Sequence, residues 1–287
     1  MSSTGDCFIF VTDTHYKGVN PVSRIDDYSA SILEKLSEVV EAAEKENAAC
    51  IIIGGDLNDI PRMADQQAGR LAEVLNRTRR CKFVVPGSHD LYGYSMDSLY
   101  QTKLGLLIKS GVVELLSRET GPVYIHLTDQ VDGTVWRVSI EGQEFTSEID
   151  TRDPAYDYWV KSDAPISVLA THSMLLDKPF HPGVPQTLIS DFPDSTEIEA
   201  IYGPGYRAPD VVLAGHYHPG WPIQKKGNTV FANPGSLARN SATPDSFTSV
   251  KAGRKFLHFG RLNFPPPQTS RPVVNRWSRI DRLASSL

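Results

Sequence analysis

Apolar residues follow two alternating rhythms along the first hundred positions. Short unbroken runs at Cys7–Thr12, Cys50–Gly54 and Cys81–Val85 have the length and content of buried strands. Between them apolar residues recur three and four apart. Ile32, Leu33, Leu36, Val39, Val40 and Ala43 make one stripe within Tyr28–Asn47, and Leu71, Val74 and Leu75 another within Ala64–Thr78. Residues spaced in this way share one face of a helix. Strands alternating with helices predict an α/β sheet with helices packed on its faces. A further helix is predicted over Asp97–Ser110.

The second half is richer in strands. Val123–Val131 and Thr134–Ile140 flank Asp132-Gly133, a pair that favours a tight hairpin turn. Ser167–Thr171, Val211–Ala214, Val230–Ala232 and Phe256–Phe259 read as short strands. Asp177–Pro209, rich in Pro, Gly and Asp, reads as an irregular surface loop. After Phe264, Pro265-Pro266-Pro267 predicts the end of the folded core, so a domain over 1–264 is expected, followed by an accessory segment over 265–287. That last segment is basic and mildly amphipathic through Val274, Trp277, Ile280 and Leu283.

Composition narrows the picture. The chain has 287 residues, 40% of them hydrophobic, which is enough for a sizeable core, and a formal net charge of −5. No global basic field marks it as a protein that coats nucleic acid, although metal ions can supply positive charge locally in a nuclease. No apolar run is long enough to span a bilayer. The start lacks the charged and apolar regions of a signal peptide, so a cytoplasmic, membrane-free protein is expected. Cys7, Cys50 and Cys81 each open an apolar run and read as buried reduced thiols.

Chemistry collects where the predicted strands end. The first delivers Asp13-Thr14-His15, the second Gly54-Gly55-Asp56, and the third Pro86-Gly87-Ser88-His89-Asp90. Later strands deliver His172 and Gly215-His216-Tyr217-His218. Residues two apart on an extended segment point the same way, so Asp13 with His15, and His216 with His218, form two-pronged claws. Mixed Asp and His donors suit Mn, Fe, Co or Zn, and carboxylate favours the harder Mg or Mn. Open α/β sheets place their sites beyond the carboxyl ends of their strands.

These motifs, in this order, resemble the calcineurin-like metallophosphoesterases over roughly residues 7 to 240. The resemblance implies a four-layer α-β-β-α sandwich, with two mixed sheets flanked by helices. It also implies two divalent ions, Mn being the first expectation, with Fe, Zn, Co or Mg as alternatives. Asp13, His15 and His218 would hold one ion, Asp56 would bridge both, and His172 and His216 would hold the second with help from the third motif. His89 would stabilise the transition state or protonate the leaving oxygen, with Asp90 orienting its imidazole. Where the family has Asn in the third motif, this chain has Ser88, whose shorter hydroxyl ligates directly or leaves its place to water.

Within that family, Asp56-Leu57-Asn58-Asp59 and the connection through Arg24 and Asp26-Asp27 resemble SbcD-type nucleases. Asn233-Pro234-Gly235-Ser236 occurs there too, and also in small phosphodiesterases. The expected activity is therefore phosphodiester hydrolysis, first of DNA. The alternatives are hydrolysis of nucleotides or other small phosphoesters, or a weakly active metal-binding regulatory subunit. The C-terminal segment is expected first to pack on its own core or to end the chain loosely; by the same resemblance the alternative is that it docks an ATPase partner or contacts DNA. Among other candidates, His126 is expected to be structural and His181 could line the cleft. Tyr92, Tyr94 and Tyr100 are expected to pack in the core or cleft wall, with base stacking as the alternative.

Overall fold

A computed structural model describes residues 3–21, 26–130, 132–237 and 257–259. The predicted C-terminal accessory segment, the domain boundary at 264/265 and Arg24 lie outside the described residues. The predicted α/β alternation is present as β2 (Cys7–Val11), α1 (Tyr28–Lys45), β3 (Ala48–Ile53), α2 (Asp65–Leu75) and β4 (Cys81–Val84). Two sheets form. One has five strands in the order β12 (Leu257–Phe259), β2, β3, β4 and β5 (Glu114–Leu115). The other has seven, in the order β1 (Ser3–Gly5), β6 (Val123–Thr128), β7 (Val135–Gln143), β8 (Ile166–Ser173), β9 (Val211–His216), β11 (Thr229–Asn233) and β10 (Trp221–Lys226). Both are mixed: β2 through β5 run parallel while β12 opposes β2, and β7, β8, β9 and β11 run parallel between antiparallel edges.

The alternation of side chains along β2 explains the layering. Cys7, Ile9 and Val11 pack outward against Ile32, Leu36 and Val39 of α1 and Leu71 of α2. Phe8 and Phe10 point the other way, into a core between the sheets with Ile125, Val138, Val168 and Leu213. In β3 the alternation slips, since Cys7 faces Ala48 but Ile9 faces Ile51, and this bulge turns Ala49 and Cys50 both toward the intersheet core. The outer face of the seven-stranded sheet buries Leu169, Val212, Ala214 and Phe231 under Tyr158, Ile189 and Phe192. That fourth layer is thin, made mostly of turns, with α4 (Ser195–Tyr202) beside it. The four layers are those of the metallophosphoesterase sandwich.

Four local expectations need correction. Asp177–Pro209 is not wholly irregular, because it contains α4. Asp194 caps α4 by accepting from the N–H groups of Thr196 and Glu197, and Glu197 reaches back to the Asp194 N–H, a reciprocal capping box. The expected helix over Asp97–Ser110 is broken at Thr102. A 3-10 segment, Met96–Gln101, ends there, and the extended backbone of Thr102 then caps α3 (Lys103–Lys109) through its hydroxyl on the Gly105 N–H. The expected tight turn at Asp132-Gly133 is a wider loop, closed by the Asp129 N–H on the Thr134 carbonyl (2.8 Å). Strand β10 was missed because Trp221-Pro222 and Lys225-Lys226 make it a polar edge, where proline is tolerated. Cys7 and Cys50 are buried free thiols as expected, and Cys81 is a half-buried one.

Candidate metal centre

The ligand loops of β2 and β3 continue to pair after the strands stop. Asp13 N–H donates to the Gly55 carbonyl, His15 N–H to Asp56, and Tyr16 N–H to Leu57. Pairing through a sharp bend forces left-handed backbone on residues that seldom adopt it. Asp13 (φ +53°), His15 (+47°), Asp56 (+50°) and His216 (+76°) all lie there. Such conformations cost of order 1–3 kcal/mol each and persist where the surroundings over-determine them. Two glycines permit the close approach. A Cβ on Gly55 would lie 2.3 Å from His172 Nδ1, and one on Gly87 the same distance from Asp56 Oδ1.

The sequence-expected residues converge into two candidate ion-binding groups, with a third, of His15, Asp56 and His89, overlapping both. Asp13, His15 and His218 form one, and Asp56, His172 and His216 the other, each set of donor atoms lying within 4.8 Å. The carboxylates are each half engaged. Asp13 Oδ2 accepts from the Thr12 hydroxyl (2.7 Å) and the His216 N–H (3.0 Å), while Oδ1 is buried with no hydrogen-bond partner. Asp56 Oδ1 accepts from the His89 N–H (2.7 Å), leaving Oδ2 facing His172 Nε2 at 3.2 Å and His15 Nε2 at 3.7 Å. His172 donates Nδ1–H to the Gly54 carbonyl (2.8 Å), which fixes its tautomer and turns Nε2 into the site. His15 Nε2 and His218 Nε2 stand 2.9 Å apart, and His216 Nδ1 stands 3.2 Å from His172 Nε2. An orphaned carboxylate oxygen on Asp13 and imidazole nitrogens aimed at one another are what a pair of cations would reconcile.

The electrostatics agree. Burial disfavours charge at Asp13, but the facing imidazoles of His15 (3.7 Å) and His218 (3.3 Å) prevail and hold its pKa well below the usual carboxylate range. Burial likewise opposes charge on His15, yet Asp13, Asp59 and Asp56 together raise it to about 10. His172 rises to about 9, because the Asp56 charge outweighs the loss of solvent together with the help of Asp13. Burial and the neighbouring His172 push His216 down to about 4.

The third motif holds a surprise. Ser88 is buried, its hydroxyl 3.5 Å from Asp56 Oδ2, so it borders the oxygen expected to bridge. His89 is exposed and offers a ring nitrogen near His15 and Asp56. Its Nδ1–H donates to the Asp59 carbonyl (2.8 Å), so the orienting role expected of Asp90 falls to Asp59. Asp90 instead accepts from the N–H groups of Leu57 (3.3 Å), Asn58 (3.0 Å) and Gly87 (3.1 Å), tying the β3 loop to the β4 loop. Burial, and then the charge of Asp56, raise its pKa to about 6.

Several supporting residues escaped the sequence reading. Asp59 also places Oδ1 3.4 Å from His15 Nδ1 and pairs with Lys17 (2.9 Å). Ser236 donates its hydroxyl to the Asp13 carbonyl (2.8 Å) and its N–H to His218 (2.9 Å), joining the two claws. Phe145 lies with its ring 5.4 Å from that of His216. Only Asp59, inside the second motif, and Ser236, inside Asn-Pro-Gly-Ser, carried a sequence signal. His181 is exposed and bonds to the Pro182 carbonyl, outside both groups, and His126 lies on β6, as a structural residue would. Tyr92, Tyr94 and Tyr100 are not packed in the core, being 42%, 57% and 54% exposed.

Two carboxylates and four imidazoles converging at strand ends, with a fifth imidazole beside them, are the inventory of one family. The sequence profile described as calcineurin-like phosphoesterase matches residues 8–220. The chain belongs to that family. The calcineurin-like phosphoesterases are metal-dependent hydrolases of phosphoester bonds that bind two divalent ions, and the six donors here fit such a pair. A search among curated proteins finds no match. Among solved structures, a calcineurin-like phosphoesterase from Bacillus subtilis is similar over 80% of this chain and 81% of its own, at 13% identity and TM-score 0.47. A dimetal phosphatase from Danio rerio is similar over 80% and 87%, at 12% identity and TM-score 0.44. A Staphylococcus aureus protein named for 5'-nucleotidase activity is similar over 80% of this chain at 15% identity and TM-score 0.44, and this phosphoesterase spans only 48% of its length. Likenesses this distant bring no substrate to the chain. Among the described residues no helix is long and apolar enough to cross a membrane.

Proposed function

We propose that this phosphoesterase cleaves phosphodiester bonds in DNA, with Mn as the metal to try first. The observation that carries the reading is an open groove whose walls grow out of the site loops. Pro61 and Arg62 follow closely on Asp59, which holds His89, and Tyr92 follows Asp90. With Gln101, Thr102 and Lys103 they line a cavity of about 220 Å³. A second cavity of about 520 Å³ extends it past Met63 and Ala64, again beside Arg62 and Lys103. Arg62 is exposed, and Lys103 pairs with the exposed Asp65. Two cations in an open groove suit a chain of phosphates that runs on past the scissile one. A closed pocket would suit a small phosphomonoester better.

The candidate ligands have a clear part in such a reaction. Ions held by Asp13, His15, Asp56, His172, His216 and His218 would supply Lewis-acid charge at the phosphoryl oxygens and lower the pKa of an attacking water. The chain adds His89. Because its Nδ1–H is committed to the Asp59 carbonyl, Nε2 is the atom left to take a proton from solvent and, as the imidazolium, pass it to the leaving oxygen. Asp90 locks the two loops that set this geometry.

The test offers purified protein with Mn to linear double-stranded DNA, single-stranded DNA, bis-p-nitrophenyl phosphate and p-nitrophenyl phosphate. DNA and the diester should be cleaved and the monoester spared. Replacing Arg62 and Lys103 by Ala should weaken DNA cleavage while leaving the small diester untouched. Preference for the monoester with intact DNA would turn the reading to small phosphoesters.

A further inference from the structure

We infer that Tyr94 and Phe145 form a platform for a flat nucleobase beside the Asp56, His172 and His216 group, an inference that rests on the phosphodiesterase reading above. Phe145 follows β7, and its N–H donates to the Pro86 carbonyl (3.1 Å), which anchors it to the loop carrying Ser88 and His89. Its half-buried ring stands 5.4 Å from His216 and 6.1 Å from His172, centre to centre. Tyr94 meets the far side of this patch, its ring 5.5 Å from Phe145 and inclined by 61°. The two rings thus run from the edge of the candidate metal centre out to solvent.

Tyr94 is an odd residue to find there by accident. More than half of it is exposed, so it contributes little to the core. Its backbone sits at φ +60°, a region that bulky side chains seldom occupy, directly after Gly93 at +56°. The turn is nevertheless held. The Ser98 hydroxyl accepts from the Tyr92 N–H (2.9 Å) and donates to the Ser95 carbonyl (2.7 Å). A strained, exposed aromatic on a pinned loop is a configuration that folding alone does not favour, since glycine would serve the backbone better. Its position explains it. Phe145 stands against His216 and His172, and Tyr94 continues the aromatic surface outward, so a base attached near a scissile bond at this group would meet the two rings. Stacking accepts any base, so the platform grips nucleotides without reading sequence.

The experiment compares two diesters with the same leaving group: the p-nitrophenyl ester of thymidine 5'-monophosphate, which carries a base, and methyl p-nitrophenyl phosphate, which does not. In Tyr94→Ala the KM for the thymidine ester should rise about 5-fold or more, the scale of one stacked base, while kcat/KM for the methyl ester stays unchanged. Tyr94→Trp should restore the thymidine ester. Tyr94→Gly should lose the base as Tyr94→Ala does, yet melt no lower than the parent, because glycine relieves the strained backbone. Equal losses on both esters, or no loss on either, would overturn the platform. If the parent protein hydrolyses neither ester, the phosphodiesterase reading itself fails, a result separate from the behaviour of the variants.

Discussion

The group of Asp13, His15 and His218 opens to solvent through His218, whose side chain is 47% exposed, whereas His172 in the other group is wholly buried. Both groups offer one carboxylate oxygen turned into the site and two imidazoles. They differ in what can complete a coordination shell. On the first side water is at hand. On the second, Phe145 stands beside His216, and the nearest further donor is the short hydroxyl of Ser88. An ion on the first side therefore depends on an exposed imidazole, and one on the second depends on how far a serine can reach. The lesson is that matching ligand chemistry does not make matching sites, since solvent access and the length of one side chain decide the rest.

The most severe way to break the comparison is to remove what the two groups share. Asp56→Asn should lower diester cleavage by at least about 1,000-fold, with the far-UV circular dichroism of the parent, because the group between both sides loses its charge. Full activity in that variant would sink the two-ion assignment. By contrast, His216→Ala should drop the content measured by elemental analysis from two ions to one, without touching the first side.

His89 stands outside both groups. His89→Ala should keep the metal content and lose about 100-fold or more in kcat, the scale of proton transfer by a positioned side chain. Metal loss in proportion to activity would make it a ligand instead.

Protons sharpen the comparison next. His15 and His172 rise from 6.5 to about 10 and about 9, so the metal-free protein carries both charged near neutral pH. Stability from a raised histidine is complete below its ordinary pKa and is lost as pH rises through the raised one. The carboxylates Asp13 and Asp56 are lowered, so their contribution is present above the ordinary 3.8 and is lost as pH falls through their lowered values. The metal-free melting temperature should thus be highest near pH 6.5, fall progressively through neutral and alkaline pH, and level off past pH 9 to 10. Because ligation requires neutral imidazole, ion binding at neutral pH should release protons. Calorimetry in two buffers of different ionisation enthalpy measures that release, and identical heats would contradict it.

The mildest change is Ser88→Asn. A longer amide should reach toward the second group and lower the Mn concentration needed for half-maximal activity several-fold, while the first side stays as it is. An unchanged requirement would mean that Ser88, or a water on it, already fills the shell.

Much of this was legible in the chain, for identifiable reasons. Period-2 and period-3.6 patterns separate strand from helix wherever an element buries one face or both, so β2, β3, β4, α1 and α2 could be read directly. Metal donors at strand ends are equally local, and Asp13, His15, Asp56, His172, His216 and His218 all converge as expected. The reading failed where composition hid a local signal, as when the Pro- and Gly-rich surroundings masked the Asp194–Glu197 capping box of α4. It failed at polar edges such as β10, which bury too little to leave a pattern.

What the sequence by itself determined, then, is the set of donors, their order and the strands that carry them, because those depend on neighbours along the chain. The tertiary structure decided which oxygen of each carboxylate turns into the site, which carbonyl orients His89, and that Phe145 and Tyr94 stand beside the site. Those outcomes rest on contacts between residues remote in sequence, such as the His216 N–H on Asp13 and the Ser236 hydroxyl on the Asp13 carbonyl. No periodicity encodes such contacts. They exist only once two sheets have packed face to face and brought the ends of their strands together.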